Sequence, residues 1–189
     1  MKQRTWTGHV FIATSIDGFI SEPDGGLDWL TDPPPETRHA AAHQGQDAPP
    51  GYEEFTAGMS HLVMGRGTYE KVLTFDHWPY DRFEVLVIST TLPQAGDDRV
   101  AVLRSLADAC SLLETDRATA VYVDGGQIVS EFLTAGLIDE LTIARAPVIL
   151  GDGLPLFHRL PHPLRLLHEG TSTTDTGMTN TRYRVNRPT

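Results

Sequence analysis

Cysteine is nearly missing from this chain. Cys110 stands alone, so no disulfide can close within the sequence and no zinc site can be built on thiolates. Long hydrophobic runs are missing too. Nothing approaches the roughly 18 apolar residues that cross a bilayer, and the opening MKQRTWTGHVFIATS has no apolar stretch after its basic residues, so neither a membrane span nor a signal peptide is expected. Positive charge is scarce: 15 Lys and Arg stand against 25 Asp and Glu, a formal net charge of −10. Such a field repels polyanions, which argues against nucleic acid and anionic membrane as partners. An anionic cofactor remains possible where a few cations gather. The eight histidines show neither HExxH nor paired-ligand spacing, so no metal is expected. No serine sits in a GxSxG elbow. A cytoplasmic protein fits this pattern.

What is present is ordinary for a globular chain, with 40 % hydrophobic and 21 % charged residues in a length of 189 that suits one domain over residues 1–189. Short β-rich runs occur at residues 9–14 (HVFIAT), 61–64 (HLVM), 85–89 (VLVIS), 100–103 (VAVL) and 120–123 (AVYV). Helical patterns fall at residues 52–57, 68–73, 105–115 and 127–135. This alternation predicts an α/β fold with a mostly parallel central sheet and helices on both faces. After residue 138 the helices stop, and strands at 140–150, 164–168 and 183–185 predict an antiparallel finish. Two stretches break the rhythm, the turn-rich SEPDGG at 21–26 and the segment 32–50, whose three prolines at 33–35 exclude helix and central strand. The second reads either as an excursion beside an active site or as a variable surface insertion.

Three strand ends carry anion-friendly chemistry. Asp124-Gly125-Gly126-Gln127 follows AVYV and opens a helix, so the backbone can approach a ligand and the helix N-terminus can face a phosphate, unless the pair is simply a turn. Met64-Gly65-Arg66-Gly67-Thr68 repeats that geometry, with a helix beginning at or capped by Thr68 and an arginine able to fork onto phosphate. Ser89 and Thr90 add hydroxyls after the third strand. Together they point to one extended phosphate-bearing ligand along the carboxyl edge of the sheet. GxGxxG is absent, which disfavours a standard Rossmann site. Trp29 and Trp78 are either mouth residues or packing residues.

The ordered set IATSIDGFI, MGRGTYEKV, VLVIST and VYVDGGQIVSEFL resembles the dihydrofolate reductase superfamily over roughly residues 8–187, and the run from Asp139-Glu140-Leu141 to Leu156-Phe157 resembles the reductase domain of riboflavin biosynthesis. The resemblance implies a single dihydrofolate-reductase-like domain with NADP as cofactor and a small-molecule substrate. Ala13 would meet the nicotinamide carboxamide, and Asp17, Gly18 and Ile20 would begin a mobile loop over the cofactor. Gly65, Arg66, Gly67 and Thr68 would hold the 2′-phosphate and pyrophosphate region, with Ser89 and Thr90 beside them. Gly125, Gly126, Gln127 and Ile128 would wrap the pyrophosphate and nicotinamide ribose. A cis peptide at Gly125–Gly126 is also implied, together with a Gly126→Ala variant that loses NADPH affinity and keeps its fold.

The departures narrow the chemistry. Gly51 stands where dihydrofolate reductases carry their substrate carboxylate, and Ala144 replaces the threonine behind it. Phe19 stands where the riboflavin-type enzymes usually have a basic residue. Nearby acids that might replace the missing carboxylate are Asp28, Asp32, Glu53 and Glu54, with Asp28 and Glu54 the catalytic candidates. The expected activity is hydride transfer from NADPH to a small pteridine-, pyrimidine- or ribosylamino-type substrate. Dihydrofolate reduction and non-catalytic NADP binding are the alternatives. The resemblance further implies a homodimer, with the apolar residues 138–150 as the partner-facing edge.

Overall fold

The computed structural model describes residues 4–31, 43–44, 48–94 and 96–186. The chain runs β1 (Thr7–Thr14), β2 (Phe19–Ser21), α1 (Asp28–Thr31), β3 (His43–Gln44), α2 (Tyr52–Thr56), β4 (His61–Gly65), α3 (Arg66–Val72) and β5 (Glu84–Ile88). It continues through β6 (Val100–Leu103), α4 (Leu106–Thr115), β7 (Ala120–Asp124), α5 (Gly126–Thr134), β8 (Glu140–Arg145), β9 (Leu154–Pro155), β10 (Arg165–Thr173) and β11 (Thr179–Asn186). The main sheet has the order β3-β10-β11-β8-β1-β7-β4-β5-β6, and β2 and β9 form a small separate ribbon. From β8 to β6 all neighbours are parallel. β11, β10 and β3 add on antiparallel.

The apolar runs of β4, β5 and β7 form strands buried on both faces, as parallel strands covered by crossover helices must be, whereas β6 at the sheet edge leaves Ala101 exposed. Pleat parity divides their side chains. Val63, Leu86, Val121 and Val123 turn to one face and pack in one cluster with Leu113 of α4 and with α5. Leu62, Met64, Val85, Val87 and Tyr122 turn to the other and meet Tyr69 and Val72 of α3, with Phe55 of α2 against them. Helices therefore lie on both faces, as the alternation predicted. In α5 the buried residues Ile128, Val129, Phe132 and Leu133 follow helical spacing and form one apolar stripe. Trp78 is a packing residue, edge-on to Tyr69 and Tyr80 with the Arg99 guanidinium 4.4 Å from its ring centre.

Three expectations need correction. The strand expected over residues 140–150 ends at Arg145, two residues before Pro147, which lacks a backbone N–H to continue the ladder. β8 is also no edge: β1 bonds it on one side and β11 on the other, which removes residues 138–150 as a strand edge for a second copy. β10 and β11 are longer than the expected 164–168 and 183–185, because their Thr-rich, polar alternation extends the pairing from Arg165↔Asn186 to Thr173↔Thr179. Of the segment 32–50, residues 43–44 pair with β10, and the three prolines lie outside the described residues. Among the described residues no helix is long and apolar enough to cross a membrane.

Phe132 is fully buried in the larger cluster, with its ring centre 6.4 Å from that of Trp6. Phe132→Ala is predicted to lower the unfolding free energy by about 3–5 kcal/mol. Urea titration measures this, and a loss below about 1 kcal/mol would mean that α5 is not seated as described.

Candidate functional site

The parallel order brings the C-termini of β4, β5, β6 and β7 to one edge, and a cavity of about 720 Å³ opens there. Its walls hold every residue expected around a dinucleotide except Ala13, Asp17 and Gly18. Gly65, Arg66, Gly67 and Thr68 line it from the end of β4, and Ser89 and Thr90 from the end of β5. Gly125, Gly126, Gln127 and Ile128 line it from the start of α5, and Ile20 from β2. The volume lies within the usual range of small-molecule sites.

The helices that start at this edge differ in electrical character. Neither α3 nor α5 has a side-chain cap or an acidic residue in its first turn. Their N-cap positions are Gly65 and Gly125, so the first-turn N–H groups and the positive dipole ends are left for an anion. In α4, by contrast, Ser105 accepts a hydrogen bond from the Asp108 N–H at 3.1 Å, and Asp108 itself occupies the first turn. Helix α3 begins at Arg66, earlier than the Thr68 start expected, and the Thr68 hydroxyl faces Gly125 instead of capping the helix.

Two arginines line the cavity. Arg66 donates to the Thr91 hydroxyl at 2.9 Å and pairs with Glu70 at 3.3 Å. Arg104 was not singled out from the sequence. Its guanidinium donates to the carbonyls of Ser89 and Leu92, both at 2.7 Å, and so fixes the loop after β5. The Ser89 hydroxyl is engaged in that loop as well, accepting from the N–H groups of Thr91 and Leu92.

A strap of residues 146–156 adds Leu154 and Pro155 to the lining. The Leu156 N–H donates to the Gly18 carbonyl at 3.0 Å, and Phe19 and Ser21 pair with Pro155 and Leu154. Gly18 and Asp17 thus hold the strap instead of lining the cavity: Asp17 accepts from the N–H groups of Leu150 and Gly151. Ala13, half-buried on β1 opposite Ala144, also lies outside the cavity wall.

The cis peptide implied at Gly125–Gly126 is not found; that bond is trans. Gly125 makes the turn itself at φ 89° and ψ 135°, a conformation open to glycine. Gly126 is also needed for space, since a Cβ there would lie 2.4 Å from the Pro155 carbonyl oxygen and 3.0 Å from that of Leu156.

On the α2–α3 face the sequence reading missed an acid. Asp124 shares pleat parity with Tyr122, and its carboxylate accepts from the Gly125 N–H at 2.9 Å and from the Tyr80 hydroxyl. Burial pushes its pKa up to about 6, against these two bonds. Tyr80 is pushed far above the ordinary tyrosine value by burial and by the Asp124 charge. Tyr52, exposed at the start of α2, bonds to Tyr122, whose hydroxyl donates to the Phe11 carbonyl at 2.9 Å. The result is a tyrosine-rich floor beside the cavity, none of whose residues lines the cavity wall, around one carboxyl group that keeps its proton below about pH 6. The signal in the sequence was Asp124 itself, directly before the glycine pair. The catalytic candidates Asp28 and Glu54 are both exposed at helix positions and line no part of the cavity, and Glu53 is exposed beside them. Asp32 lies outside the described residues.

This architecture is the dihydrofolate-reductase-like fold, and comparison with known proteins identifies the family within it. The RibD C-terminal domain profile matches residues 7–179, and the chain belongs to that family. An uncharacterized Bacillus subtilis protein, YwjB, is 32 % identical over 166 residues, which cover 86 % of this chain and 88 % of its own. The crystal structure of a putative riboflavin biosynthesis protein from Shewanella sp. PV-4 superposes with a TM-score of 0.79 at 34 % identity, covering 96 % of this chain and 99 % of that one. Dihydrofolate reductase from Enterococcus faecalis, in a complex with NADP(H), shares the fold at a TM-score of 0.62 and 16 % identity, covering 97 % and 99 % of the two chains.

The close approach at Gly126 revises the expectation that alanine is harmless to the fold there. Gly126→Ala is predicted to push back the backbone at 155–156 and to lower stability by about 1–3 kcal/mol. Thermal unfolding of the variant checks this, and an unchanged midpoint would contradict the contact.

Proposed function

We propose that this chain is an NADPH-dependent reductase that delivers hydride to a C=N or C=O carbon of a small pteridine-, pyrimidine- or ribosylamino-type substrate. Membership in the RibD C-terminal family supports an oxidoreductase of the riboflavin-pathway type. The observation that carries the cofactor is the cavity itself, where two uncapped helix N-termini, two arginines and a glycine-spaced backbone meet along one edge. That donor set fits a molecule with several phosphates, and the Arg66 fork at the outer end suits a 2′-phosphate. Gly125 and Gly126 would take the pyrophosphate, with Gln127 and Ile128 against the nicotinamide ribose.

When bound, the nicotinamide supplies the hydride. The chain's own residues orient the partners, exclude water and provide the proton. Asp124 is the proton donor in this reading: it is protonated below about pH 6, is held by Tyr80, and lies directly before the turn that would carry the cofactor. As hydride reaches the carbon of a C=N bond, the Asp124 proton goes to the nitrogen, the π bond is lost and the carboxylate remains. Tyr52, exposed above this floor, would stack on a planar substrate. Gly51 in place of an acid and Ala144 in place of a hydroxyl weigh against dihydrofolate.

Two measurements test the proposal. Arg66→Ala should weaken NADPH by about 1.5–3 kcal/mol in fluorescence titration and leave NADH nearly unchanged. Equal weakening of both would remove Arg66 from the 2′-phosphate. The acid makes kcat fall as pH rises through about 6, and Asp124→Asn should lower kcat by roughly 10²–10⁴-fold and abolish that limb. Oxidation of NADPH against a panel of pterins, pyrimidinones and quinones follows the reaction at 340 nm. Tight NADPH binding with no turnover on any of them would favour a non-catalytic NADP-binding protein.

A further inference from the structure

We infer that Asp17 is a positioning residue: its carboxylate anchors the middle of the 146–156 strap and so fixes the wall that closes the cavity over Gly125 and Gly126. The ligand-affinity part of this inference rests on the dinucleotide reading of the cavity; the anchoring part does not.

Asp17 is exposed, yet its two oxygens are taken up by main-chain N–H groups far along the chain, Leu150 at 3.2 Å and Gly151 at 2.8 Å. The Ser15 hydroxyl adds a further hydrogen bond, and these contacts hold the Asp17 carboxyl below its ordinary value. Elsewhere the strap is secured by backbone or by burial. At its start Ala146 donates to the Thr14 carbonyl and Ile16 donates to that of Val148, both at 2.8 Å. At its end Leu156 is 1 % exposed in the core. Among the described residues, residues 149–152 between those points make no backbone hydrogen bond to the β1–β2 turn, and support resumes at Gly153, which lies close against the Ser21 carbonyl and Phe19. Ile149 is 72 % exposed, and Gly151 and Gly153 contribute no side chain and sit at φ 80° and 158°. Charge-assisted bonds from one carboxylate are therefore what holds this span to the β1–β2 turn.

The consequence reaches the cavity through three residues. Leu154 and Pro155 line it, and the Pro155 carbonyl lies against Gly126 so closely that no side chain fits between them. Ile20, the lining residue of β2, lies between Phe19 and Ser21, which pair with Pro155 and Leu154. If residues 149–152 swing away, the first residues to lose their register are those that roof the Gly125–Gly126 turn.

The test compares Asp17→Ala and Asp17→Asn with the wild-type chain by amide hydrogen exchange and by NADPH titration, with Asp175→Ala in the β10–β11 turn as the charge-matched control. Exchange at Leu150 and Gly151 should rise about tenfold or more in Asp17→Ala and less in Asp17→Asn. The NADPH Kd should rise by about 5–20-fold in Asp17→Ala while the melting temperature stays near the wild-type value. Asp175→Ala should match the wild type in every readout. Unchanged exchange at residues 150–151 overturns the anchor, and faster exchange with an unchanged NADPH Kd overturns its role in positioning the wall. A wild-type chain that binds no NADPH would defeat the cofactor reading, whereas the anchor would still be decided by the exchange rates.

Discussion

The site depends on how closely two pieces of backbone approach each other at residue 126. Residue 126 opens α5, and residues 155–156 end the strap that returns from β8; glycine alone leaves room for the Pro155 and Leu156 carbonyls beside it. That contact draws the strap across the end of the sheet, and the strap in turn pairs with β2 and receives the Asp17 carboxylate. The strap closes one side of the cavity through Leu154 and Pro155. Without it, the ends of β4, β5 and β7 would form an open ledge.

The electrostatics are local. A chain with formal net charge −10 still gathers Arg66 and Arg104 beside two uncapped helix starts, and the acids at this edge have hydrogen-bonding partners of their own. Glu70 pairs with Arg66, and Glu131 accepts from Gln127 at 3.1 Å. On the opposite face no cation among the described residues contributes at Asp124, whose polar neighbours there are Tyr80 and the Gly125 N–H. Burial there favours the neutral acid. One turn therefore separates a surface suited to anions from a floor suited to a protonated carboxyl group.

Much of this was legible in the sequence, for a physical reason. Strands buried on both faces must be apolar without interruption, so HLVM, VLVIS and AVYV announced themselves, and glycines at strand ends marked where backbone must bend or come close. The parts that were not legible depend on distant partners. The β2–β9 ribbon consists of three and two residues and exists only because the strap crosses there. The interior position of β8 depends on the return of β11, which no local pattern announces. Arg104 reads as a single arginine after a strand, and its role arises from the Ser89 and Leu92 carbonyls lying nearby. Asp124 was visible as a letter but not as a buried acid, since its surroundings come from Tyr80 and Tyr52, more than 40 residues earlier in the chain. The trans geometry of Gly125–Gly126 shows that a resemblance can carry over a motif without its backbone detail.

The central claim is that the edge formed by β4, β5, β7 and α5 binds NADPH. An amide-resolved NMR titration with NADPH tests it directly. The account predicts saturable shifts concentrated at residues 65–68, 89–91 and 125–128, with little change at the opposite end of the sheet around His61 and Ala120. Saturable shifts confined to any other surface, or none at millimolar NADPH, would contradict it.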